Sequence, residues 1–138
     1  MKRILIGFGI CMIVVQLLSA CVREQVVERS YELVNSTNHN IKISFYNKNK
    51  FIRIVELGKQ EEKWQIFYEK KMASGVEPYW VFESDSVIVV FNDKKVNSFT
   101  IKNSDRRNFL FNDAYTIEKK DLYRFSFIEE DFEKAAEK

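Results

Sequence analysis

A chain with one histidine has few routes to nucleophilic or metal chemistry. His39, in "NSTNHNI", is the only one among 138 residues, and it reads as a solvated residue of a turn leading into a strand. Zinc would then have to be held by several carboxylates, and no acidic spacing suggests this. No metal and no other cofactor is expected. Glycine is almost as scarce. Of the four, Gly7 and Gly9 fall within the first twenty residues, which leaves Gly58 and Gly75 for the rest of the chain. That excludes a glycine-rich phosphate cradle and a dinucleotide fingerprint, and no G-x-S-x-G elbow occurs. Proline occurs once, at Pro78, and cysteine twice, at Cys11 and Cys21, too few for a disulfide framework. No catalytic residues and no enzymatic activity are expected.

What the chain does have begins with a leader. Lys2 and Arg3 precede the uncharged apolar run Ile4 to Val15, and Leu17–Leu18–Ser19–Ala20 then leads to Cys21. Charged, apolar and small-residue regions in that order predict a signal peptide over residues 1–20. A retained spanning helix would want about 20 predominantly apolar residues, and Gln16 interrupts the run. Cleavage would remove Cys11, Lys2 and Arg3, so the basic residues fall to 22 − 2 = 20 against 20 acidic ones. The mature chain is neutral with its histidine uncharged. Nucleic-acid binding needs a basic footprint, and none is predicted.

Leu18–Ser19–Ala20–Cys21 resembles the lipobox of bacterial lipoproteins. The resemblance implies that Cys21 is acylated on sulfur, that the leader is cut before it, and that the new amine is acylated in many bacteria. Physical chemistry is consistent with this. A thiolate is the side chain nucleophilic enough to form a thioether, and two or more acyl chains anchor stably at about 0.8 kcal/mol per buried CH₂. The mature protein would keep neither a free thiol nor a disulfide. Residues 21–29 are expected to form a short lipidated tether, and residues 22–29 reach roughly 26 Å at most when extended. Val22, rather than an aspartate, follows the cysteine. By resemblance to known sorting signals, this implies the outer membrane, with the domain on its periplasmic face and the cell surface as the other placement.

Residues 30–138 read as one domain, and the dominant period there is two. "NIKISFYN" sets Ile41, Ile43 and Phe45 against Lys42, Ser44 and Tyr46, and "FIRIVEL" follows the turn-like Asn47–Lys48–Asn49–Lys50, so 41–57 reads as a hairpin. Further strands are predicted at 63–69, 79–83, 86–91, 96–102, 108–111, 114–117 and 122–128. About eight short strands separated by turn signals predict an all-β fold, an antiparallel β-sandwich, its core supplied by phenylalanine and tyrosine. The last ten residues, with acids first and lysines last, predict a short C-terminal helix, and Ser126 and Glu129 have capping-box spacing. Residues 70–78, which hold Gly75 and Pro78, read as the most mobile loop.

The remaining side chains suit binding better than chemistry. Glu61–Glu62 and the run Glu129, Glu130 and Asp131 could pair as acid and base, but both have structural explanations as a polar linker and a helix start. Trp80, set between Tyr79 and Val81, reads as core. Trp64, flanked by Lys63 and Gln65, reads as core or as a ligand contact. Arg106 and Arg107 form the one basic cluster and are the other possible ligand contacts, although Asp105 and Asp113 bracket them. The tracts Asp85 to Val87, Arg107 to Leu110 and Phe125 through Ala135 resemble a group of small bacterial lipoproteins of uncharacterised function. That resemblance implies a compact, β-rich, membrane-tethered domain and brings no activity. The expected function is therefore that of a membrane-anchored envelope lipoprotein with a non-enzymatic binding or structural role, its partner a protein or glycan of the envelope. The alternative is a carbohydrate-binding module that uses exposed aromatics.

Overall fold

Alternating side chains build β1 (Gln25–Asn35), β2 (Ile41–Asn47), β3 (Lys50–Leu57), β4 (Glu62–Met72), β5 (Ser86–Phe91), β6 (Lys95–Thr100), β7 (Thr116–Lys119), β8 (Leu122–Phe127) and a two-residue β9 (Ala136–Glu137). These strands, with short helices α1 (Pro78–Val81) and α2 (Glu129–Lys134) and a 3-10 turn at Asn112–Ala114, make up the computed structural model. The structure describes residues 25–72 and 75–138; the predicted signal peptide and Cys21 lie outside the described residues. The strands form two sheets, one ordered β4-β1-β8-β7 and the other β3-β2-β5-β6-β9. The fold is the expected all-β sandwich. One neighbouring pair is parallel, β1 with β8, from Ser30 opposite Leu122 to Asn35 opposite Phe127.

The period of two decides what each sheet buries. On β1, Tyr31 and Leu33 point inward, as do Ile41, Ile43 and Phe45 on β2, Val87, Val89 and Phe91 on β5, and Phe125 and Phe127 on β8, all essentially solvent-free. Rings dominate this interior. Phe109 contacts Phe45, Phe82, Phe99, Phe125 and Phe127 with centroids 5.3–6.5 Å apart, mostly edge to face, the arrangement that the ring quadrupoles favour. Burying one such side chain contributes about 1.5–3 kcal/mol, so the ring cluster is a main source of the fold's stability.

Four expectations about local structure change. Residues 79–83 and 108–111 are not strands: the first contains α1, with Pro78 at its first turn, where a missing N–H is harmless, and the second is irregular chain. Both are apolar because they plug the sandwich. Val81, Phe82, Phe109 and Leu110 are buried, and Asn108 replaces a ladder by donating to the carbonyls of Thr100 and Asn103 and accepting from the Leu110 N–H. Residues 25–29, expected to be tether, belong to β1. The terminal helix stops at Lys134, and its start is capped by Asp131, whose carboxylate accepts the Ile128 N–H at 2.9 Å, while Ser126 stays in β8. Within the segment read as a mobile loop, Val76 is fully buried and its carbonyl accepts from Arg29 at 2.7 Å; residues 73 and 74 lie outside the described residues.

The two ends of the sandwich are unlike. At one, the buried side chain of Asn35 donates to the carbonyls of His39, Leu57 and Gly58 and accepts from both the backbone and hydroxyl of Thr37. This ties the β1–β2 loop to the end of β3. The other end holds the start of β1, the β2–β3 turn, the start of β5 and the close of β6. There Lys48 and Asn49 take φ of 49° and 63°, the left-handed pair that a tight two-residue hairpin needs.

Candidate functional site

The chemistry-bearing side chains weighed from the sequence prove to be internal ties. His39 is not a solvated turn residue. Its ring stacks on Phe132 at 3.6 Å, Nε2 lies 3.1 Å from Glu129, and Nδ1 faces the Asn92 amide at 2.7 Å, with 19% of the side chain exposed. The Asn92 Oδ1 is taken by the Asn40 N–H, so its amide nitrogen donates to Nδ1 and the neutral imidazole carries its proton on Nε2. Glu129 is thereby committed to His39, and Asp131 to Arg107. The Arg107 guanidinium pairs with both Asp131 oxygens, donates to the Ser126 carbonyl at 2.7 Å, and lies 4.3 Å over the Phe125 ring. Glu62 accepts the Gly58 N–H. The two acidic runs thus serve loops and a helix start.

The three residues expected as ligand contacts do not meet in one place. Arg107 is turned inward as described. Arg106 is exposed and lines a 250 Å³ cleft beside Glu77, Asp105 and Asp113, where carboxylates outnumber it. Trp64, on the inward face of β4 opposite Leu33, is half-buried against Phe45 and Phe82 at 6.1 and 6.0 Å. It serves as a wall of the core more than as a platform.

Phe51 and Phe67 are open on the strand faces, at 58% and 65% exposed, and Trp80 is the exposed tryptophan. Its side chain, expected in the core, is 41% exposed. In a helix only four residues long, Val81 points into the sandwich, as does Phe82 just after it, and Trp80 points away. Tyr79 braces it edge to face at 5.4 Å and is itself fixed by its N–H on the Leu110 carbonyl. Trp80 and Tyr79 form one side of a 650 Å³ groove whose other apolar walls are Ile52 and Ile101, 37% and 40% exposed. Asn47, Lys48, Glu83 and Asp85 supply its polar edge. No run of sequence contains these residues. The β2–β3 turn, α1, the start of β5 and the end of β6 bring them together.

The groove is stiffly framed. The Asp85 N–H donates to the Tyr46 carbonyl, the Ile101 N–H to the Asp85 carbonyl, and the Asn47 side chain to the Glu83 carbonyl, all at 3.0 Å. The Lys48 N–H and the Ser86 hydroxyl donate to the two oxygens of Asp85 at 2.8 and 2.9 Å, and these bonds hold its carboxyl below the usual range. Glu83, at φ 55°, is the freer carboxylate, 3.8 Å from Arg53. A rigid concave surface of indole, phenol and two isoleucines with a mixed polar edge suits a bound amphipathic surface. Among the described residues, no helix is long and apolar enough to cross a membrane. Protein-family models, curated proteins and solved structures were all compared with the chain, and none matches it.

Proposed function

We propose that this chain is a membrane-anchored envelope lipoprotein with a non-enzymatic binding role, fastened by lipid on Cys21 and engaging an envelope component through the Trp80 groove. The observation that carries the binding role is the outward indole of Trp80, set with Ile52 and Ile101 in a frame fixed by backbone hydrogen bonds. Exposed apolar clusters of this kind mark interaction surfaces. The side chains with chemical potential are spent on stability, which supports a role without catalysis. Outer-membrane placement with a periplasmic domain is retained from the sequence.

Two measurements test this reading. Mass spectrometry of the mature N-terminus should find diacylated or triacylated Cys21, and Cys21→Ser should move the protein from the membrane to the soluble fraction; unchanged partitioning would refute the anchor. Cross-linking in intact envelopes should give an adduct that Trp80→Ala loses, and an adduct insensitive to that change would refute the groove. The alternative, a carbohydrate-binding module, is favoured by the placing of Asn47 and Glu83 beside the exposed indole. It requires a shift of Trp80 fluorescence on titration with soluble envelope glycans.

A further inference from the structure

The start of β1 and the Trp80 groove lie at the same end of the sandwich. Asn35, the last residue of β1, is bonded to His39, Leu57 and Gly58, so the end of β3 and the start of β2 share that far end. The β2–β3 turn, the start of β5 and the close of β6 must therefore lie at the opposite one, with Gln25. Side-chain contacts agree. Arg29, four residues into β1, holds the Val76 carbonyl just before α1, and Tyr31 packs on Phe82 just after it, ring centroids 6.0 Å apart.

Reach then becomes decisive. Cys21 and Gln25 are four residues apart, at most about 14 Å of chain. The part of β1 that pairs with β4 but extends past β8, Gln25 to Arg29, has the same length. That length of chain is enough for Cys21 to reach the level of Arg29, whose guanidinium holds the Val76 carbonyl just before α1. The surface at that level has the composition of a membrane interface: an indole and a phenol, whose amphipathic rings favour the headgroup region, and two exposed isoleucines. Lys48, on the groove edge, and Lys50 and Lys102, exposed on the flanking turns, are long enough to reach phosphates. Against them stand Glu83 and Asp85, the second already held by Lys48 and Ser86.

We propose that the Trp80 groove docks on the phospholipid headgroups of the bilayer that holds the Cys21 lipid, so that the domain lies against the membrane as a second point of attachment. This rests on the lipid-anchor reading of the previous subsection and names the partner of its groove. Two attachments make the domain's orientation fixed, with the opposite end, around Asn35 and α2, turned away from the lipid.

The test uses the full lipidated protein in vesicles of phosphatidylethanolamine and phosphatidylglycerol (3:1) carrying brominated acyl chains. Flotation reads the anchor, and tryptophan quenching reads the docking. Trp64→Phe leaves Trp80 as the reporter, and Trp80→Phe leaves Trp64 as the internal control. Should Trp64→Phe fold poorly, the difference between wild type and Trp80→Phe gives the same signal. The expected result is flotation with at least twofold quenching of Trp80, little quenching of Trp64, and loss of the signal in Ile52→Glu/Ile101→Glu. Flotation with Trp80 unquenched would overturn the docking and leave the anchor standing. Absence of flotation would overturn both. An unquenched Trp80 that instead shifts with soluble glycan would assign the groove to carbohydrate.

Discussion

Glu32 lies on the outward face of β1 and is nevertheless almost fully covered, because Arg124 of β8 and Lys63 of β4 close over it from both sides at 2.5 and 3.2 Å. Burial pushes its carboxyl up, but the hydrogen bonds and charges of Arg124 and Lys63 outweigh this and leave it below its ordinary 4.5. A carboxyl depressed on folding contributes stability that is present above its unfolded pKa and lost as pH falls through the folded one. The protein should therefore lose stability below about pH 4.5, and Glu32→Gln should flatten that loss in urea melts at stepped pH while costing about 1–3 kcal/mol at neutral pH. Arg107 and Asp131 make a second residue-scale prediction. Each single change to alanine should cost about 2–3 kcal/mol, since each strands a partly buried charge. The double change should cost much less than the sum, a coupling measurable by a double-mutant cycle.

At the scale of elements, α2 is too short to be stable by itself and depends on what Phe132 touches. That ring stacks on His39, meets Phe91 at 5.9 Å and lies 4.6 Å from the Lys95 ammonium. Phe132→Ala should cost about 2–3 kcal/mol, and hydrogen exchange should rise in residues 129–137 before it rises in the sheets. Uniform acceleration would show instead that α2 is integral to the global unit. Elements also show what could be read beforehand. The strands at 41–57, 86–91 and 122–127 are legible because alternation, or a β-branched run, is enforced by burial on the pleated surface. Residues 79–83 and 108–111 are equally apolar yet unpaired, since periodicity reports burial and is silent about hydrogen bonding. β1 was hidden for the opposite reason: Arg29, an inward position, is charged, and is tolerated only because Val76, Asn112 and the Tyr123 ring receive it. The groove was illegible altogether, its walls being scattered from Ile52 to Ile101, and Trp80 looked like core because its neighbours Val81 and Phe82 are.

For the molecule as a whole, the parallel pairing of β1 with β8 sets the kinetics. Ser30 and Leu122 are 122 − 30 = 92 residues apart and directly opposed. Folds dominated by such distant pairings close slowly, in about milliseconds to seconds, so stopped-flow refolding of residues 25–138 should fall in that range and not in microseconds. A fragment ending at Lys120 should lack cooperative unfolding, because β1 would lose the neighbour on one of its two edges.

That same pairing has a meaning for biosynthesis. A ribosome delivers β1 first among the described strands and β8 nearly last, so for most of the time the chain is being made, β1 stands with β4 on one side and nothing on the other. An unfilled strand edge of this kind invites the wrong partner. Quality-control factors that recognise exposed strands would find their target in the nascent protein and lose it once residue 127 has arrived.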